Sequence, residues 1–139
     1  MNLLNLCVAV AIASVPFQIL RFLAGVTEEY LKPFEGIYSE VVKNSIRARW
    51  SPRTIVIAEL FEVVLPAFFF TLILPFLPLS GIKVGIFFGI FIFFVATLPQ
   101  MVIISQTIKL STNFIVVYLF WQFLKNLLVF GTIGAVYRL

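Results

Sequence analysis

Four predominantly apolar runs divide the chain, over residues 2–25, 52–76, 82–106 and 112–137. An α-helix rises 1.5 Å per residue, so about 20 residues suffice to cross the ~30 Å hydrocarbon core of a bilayer. The pattern predicts an all-α, polytopic membrane protein: one integral membrane domain over 1–139 with four transmembrane helices in a small bundle. Between the first two runs lies a segment of another kind. At about 100° per residue, Phe34, Ile37, Tyr38, Val41 and Val42 fall on one side and Glu40, Lys43, Asn44 and Arg47 on the other. That periodicity predicts a short interfacial amphipathic helix over about 34–50. Ser51-Pro52 reads as an N-cap with proline at the first helical position, and Pro75, Pro78 and Ser80-Gly81 form the turn into the third run.

A duplication is visible within the pattern. Ile55-Val-Ile-Ala-Glu-Leu-Phe-Glu-Val63 set over Ile115-Val-Val-Tyr-Leu-Phe-Trp-Gln-Phe123 aligns apolar, aromatic and carbonyl-bearing positions, with Glu62 on Gln122. The preceding runs echo each other as well, Ala13-Ser-Val-Pro16 resembling Ala96-Thr-Leu-Pro99, with Gln18 and Gln100 close behind the prolines. A duplicated two-helix hairpin would give a parallel repeat about the membrane normal; chance likeness between apolar runs stays open beside it.

Composition strengthens the membrane reading. Hydrophobic residues make up 62% of the chain and charged residues 12%, against roughly 25% charged in soluble domains. Phe occurs 17 times, in clusters such as Phe68-Phe69-Phe70 that lipid tolerates and water does not. With no His and the single Cys7, the chain offers no imidazole for haem, zinc or a Ser-His relay and no internal disulfide, so no cofactor or metal is expected. Ala11-Ile12-Ala13 has the shape of a signal cleavage site, but no Lys or Arg precedes it, so the first run is expected to remain as a span.

The net charge of +4 comes from basic residues beside the apolar runs, which points to anionic lipid headgroups and away from nucleic acid. Lys32, Lys43, Arg47, Arg49 and Arg53 lie between the first two runs and Lys109 between the last two, whereas only Lys83 and Arg138 lie opposite. The positive-inside rule then predicts loops 26–53 and 106–112 on the cytoplasmic side and both termini outside, as in the cytoplasmic membrane of a prokaryote. Arg47, Arg49, Trp50 and Arg53 are the candidate headgroup contacts, although such residues also serve as ordinary anchors at cytoplasmic helix ends.

Charges inside the runs are the exception that calls for an explanation, since an ionised side chain at the bilayer centre costs at least ~3 kcal/mol. Glu59 and Glu62 stand three residues apart on the second run, which puts them on one helix face expected to point inward. From the helix rise, Glu62 lies ~15 Å and Lys125 ~20 Å from helix starts on the same side, a difference a lysine stem can cover. Arg21 falls near the level of Glu59, while Gln100, Gln122, Asn126 and Gln18 can satisfy the remaining polar groups. Pro66, four residues after Glu62, frees the Glu62 carbonyl and is a candidate kink. Two functions fit. Arg21, Glu59, Glu62 and Lys125 can form buried pairs that fix helix register, or the two carboxylates can form a proton or cation site with Lys125 as competing charge. General acid/base chemistry is the weakest reading, because no nucleophile, metal set or phosphate loop accompanies the acids.

Gly81, Gly85 and Gly89 recur every fourth residue, a small-residue ridge that lets another helix approach closely, either within the chain or in a homo-oligomer. The sequence as a whole leads to the expectation of a small non-catalytic integral membrane protein, a subunit or assembly partner beside other membrane subunits. The alternative is a proton- or cation-coupled small transporter or channel using Glu59, Glu62 and Lys125.

Overall fold

The computed structural model describes residues 3–30, 51–77, 80–107 and 110–136, and apart from short connections these are helical. Helix α1 runs over Leu3–Tyr30; α2, α3 and α4 occupy Pro52–Phe76, Ile82–Thr107 and Thr112–Val136. All four are long and apolar enough to cross a membrane. The expected interfacial helix over 34–50, with Arg47, Arg49 and Trp50, lies outside the described residues.

Helix α1 continues past residue 25, where the apolar run ends. After Gly25 no helix breaker follows before Pro33, so the backbone bonds continue even though the side chains turn polar. Thr27 helps by giving its hydroxyl to the carbonyls of Leu23 (3.2 Å) and Ala24 (2.9 Å). The start of α2 is punctuated as the sequence suggests: the Ser51 hydroxyl accepts from Thr54 N–H at 3.2 Å, with Pro52 at the first position. Ser111 does the same for α4, accepting from Phe114 N–H at 3.3 Å. Gly81, at φ +63°, takes the left-handed region open to glycine and turns the chain into α3.

Helix α4 is the centre of the packing, with α3 along one side and α1 along another. The α3–α4 seam is antiparallel and lined by glycine. A Cβ added at Gly85 would stand 2.1 Å from the Phe130 carbonyl oxygen, one at Gly89 2.7 Å from that of Asn126, and one at Gly134 2.6 Å from that of Gly81. Backbones this close leave no room for a side chain. On the other side, Ala9, Ala13 and Phe17 of α1 are fully buried at α-helical spacing. Helix α2 lies against α1 and reaches α3 and α4 through phenylalanines: Phe70 is 5.1 Å from Phe88, and Phe88 is 5.0 Å from Phe130, between ring centroids. By contrast, the first two turns of α2, Pro52–Glu59, bury no residue.

Two helices change pitch. Leu60–Val64 of α2 and Phe93–Thr97 of α3 are π-helical, each beginning six residues before a proline, Pro66 and Pro99. Leu65 N–H bonds Leu60 O, five residues back, so Phe61 O loses its α-helical donor; Glu62 O loses its own because residue 66 has no N–H. The same shift in α3, where Leu98 N–H bonds Phe93 O, releases the carbonyls of Phe94 and Val95. Pro16 in α1 produces no π turn.

Candidate functional site

The polar residues of the four helices gather around the middle of α4. Lys125 forms an ion pair with Glu62 of α2, and its ammonium also lies 5.9 Å from the centroid of the Phe17 ring of α1. The pair is unevenly covered: the Lys125 side chain is 12% exposed, that of Glu62 42%. Next to Lys125, buried Asn126 donates from Nδ2 to the Thr97 hydroxyl at 3.3 Å, at the last residue of the π segment of α3. Both π segments therefore face adjacent residues of α4.

Glu59 takes a different partner from Glu62. Its Oε2 accepts from Gln18 Nε2 of α1 at 2.5 Å, while Oε1 is buried without a hydrogen-bond partner. The two carboxylates expected to act as one site are thus directed to different helices, Glu59 to α1 and Glu62 to α4. The intervening Leu60–Val64 π turn adds rotation between positions that an α-helix would stack more closely.

Two cavities flank the Glu62–Lys125 pair. One, of about 260 Å³, lies between α1, α2 and α4 and takes in Arg21, Ala58 and Trp121. The other, of about 270 Å³, is a groove between α2 and α3 floored by α4, taking in Pro66, Thr97, Gln100 and Asn126. Glu62, Tyr118, Gln122 and Lys125 line both. Above this groove Phe70 of α2 and Phe88 of α3 meet, 5.1 Å apart between ring centroids.

Compared with known proteins, the chain matches no family model, no curated protein and no solved structure. Its chemistry rests on its own residues. Among the described residues no group of three or more His, Cys, Asp or Glu is placed to hold a metal ion. Several hydroxyls outside the cluster turn back onto their own helices: Ser14 to Val10 O (2.8 Å), Thr71 to Phe68 O (2.8 Å) and Thr132 to Leu128 O (2.6 Å).

The sequence-derived residues thus fall into separate places. Arg21, Glu62, Gln122 and Lys125 share one cavity wall; Gln100 and Asn126 join the other. Arg53 is exposed beside the cap of α2, and Gly81, Gly85 and Gly89 lie in the α3–α4 seam. Sequence reasoning passed over Thr97, Phe17 and Tyr118. Thr97 carried a signal, a polar residue two positions before a mid-run proline, which is the register of the π turn. Phe17 and Tyr118 carried none, being two aromatics among many.

Proposed function

We propose that this chain is a small non-catalytic subunit of a membrane complex, its four helices spanning the bilayer as a bundle and its intramembrane charges fixing helix register. The observation that supports this reading is the pairing of polar groups across helices: Glu62 with Lys125, Glu59 with Gln18, and Asn126 with Thr97. Such pairing gives the apolar helices a directional register that Leu and Phe side chains alone do not supply. The bare Pro52–Glu59 turns of α2 offer a face for a helix of another subunit. The basic residues around Arg53 support an orientation with this end in the cytoplasmic leaflet beside anionic headgroups and both termini on the far side.

Extraction in mild detergent followed by native mass spectrometry tests the reading. The chain is expected in a larger assembly with other membrane subunits; recovery solely as a single chain, with no loss of any membrane complex when the gene is deleted, would overturn it.

One observation favours a second reading, proton- or cation-coupled transport: the ion pair stands between two cavities that both reach Glu62. On that reading Glu62 carries the ion and Lys125 competes for it. Liposomes containing the purified chain should then show flux that Glu62→Gln abolishes without unfolding the protein.

A further inference from the structure

Lys125 sits where a small free cation could sit. Its ammonium has the Glu62 carboxylate on one side and the face of the Phe17 ring on another, the two kinds of group that recognise an organic ammonium in a dry environment. No backbone tie holds it there, only a flexible four-carbon stem. Cavities of about 260 and 270 Å³ open beside the pair, and each takes in both Glu62 and Lys125. Either has room for several waters, at ~30 Å³ of liquid volume each, and so for a cation of a few heavy atoms. The carboxylate is the more open member, with 42% of its side chain exposed against 12% for Lys125. An incoming cation can therefore reach Glu62 from the cavity beside α1, which the Phe17 ring also lines, while the lysine stem swings toward the α2–α3 groove and its Gln100, Gln122 and Asn126.

We propose that Glu62 and the Phe17 ring form a binding site for a small primary ammonium, which Lys125 occupies as a tethered ligand and a free cation takes by displacement. A tethered competitor acts at an effective concentration on the order of mM or higher. Free ammonium therefore binds weakly to the intact protein and more tightly once the tether is removed. The inference concerns binding alone: a chain that binds ammonium and moves nothing across a bilayer keeps this site and loses the transport reading.

Trp121 lines the α1 cavity and serves as the reporter, with Trp50→Phe removing the second of the two tryptophans. The full chain in detergent is titrated with ethylammonium chloride up to 500 mM, against sodium chloride at equal ionic strength. Lys125→Met in this background is expected to give a saturable fluorescence change with a midpoint at least tenfold lower than the parent, and adding Glu62→Gln should abolish it. A flat titration of folded Lys125→Met, or a response that survives Glu62→Gln, overturns the proposal. Should Lys125→Met fail to fold, Lys125→Gln takes its place, retaining a donor toward Glu62. The parent itself carries a further arm: its response at high ethylammonium must be saturable and lost in Glu62→Gln, and its absence in both the parent and the Lys125 variants overturns the site.

Discussion

The two sides of α4 solve opposite problems. Toward α3 the seam brings backbone against backbone, and an added Cβ at Gly85, Gly89 or Gly134 would stand 2.1, 2.7 or 2.6 Å from a carbonyl oxygen across it. Toward α2 it presents Lys125, ion-paired with Glu62, and Gln122, beside two cavities that both reach the pair. The difference shows what each kind of contact supplies in an apolar solvent. Close approach accumulates dispersion contacts and fixes distance; polar pairs fix rotation and register but require room and solvation. The Phe70-Phe88-Phe130 cluster is the boundary between the two regimes.

Breaking the tight side should have the largest effect. Gly85→Leu drives a side chain into the Phe130 carbonyl, where even a Cβ would stand at 2.1 Å, and is expected to cost about 3 kcal/mol or more. Unfolding with increasing SDS fraction in mixed micelles measures this, and a loss under ~1 kcal/mol would mean that the seam is looser than described. On the open side, Glu62→Gln and Lys125→Met are each expected to destabilise by about 2 kcal/mol, less than a fully buried pair because Glu62 is partly exposed. The double variant should recover at least half of the summed loss. Strict additivity would show that the pair contributes nothing to register. The smallest effect belongs to the polar bond between α3 and α4: Thr97→Val removes the Asn126 hydrogen bond and should cost about 0.6 kcal/mol, typical of polar contacts between membrane helices.

Much of this division was legible before any coordinates. Apolar runs locate helices because each must cross a thickness of fixed size, and the starts at Pro52, Ile82 and Thr112 follow from that alone. The end of α1 did not follow, since apolarity reports the solvent around a helix rather than the point where its hydrogen bonds stop. Glu62 and Lys125 could be paired from depth, a one-dimensional quantity that the helix rise supplies. Rotation is a second coordinate, and there the sequence misled: Glu59 and Glu62 were placed on a common face by an α-helical count that the π turn at Leu60–Val64 interrupts. Pro66 signalled a disturbance without saying which, because a proline can kink, widen or leave a helix unchanged, and Pro16 lies in a continuous α-helix. The π turns also bear on the duplication. They occur in α2 and α3, which a repeated hairpin does not make equivalent, so the likeness in sequence has no counterpart in helix pitch.

The position of Lys125 on the last helix has a consequence for how the protein is made. Glu62 and Lys125 are separated by 63 residues. At the ~5–20 residues per second of ribosomal synthesis, the acid emerges roughly 3–13 s before its counter-charge. Throughout that interval the α2 carboxylate has no α4 partner, and the cation already made that lines the same cavity is Arg21 of α1. Helix α1 waits as well, its buried Ala9-Ala13-Phe17 stripe having no α4 to cover it. The helix that organises this packing is made after the three it holds, so both the α2 carboxylate and the α1 stripe are made before the helix that meets them.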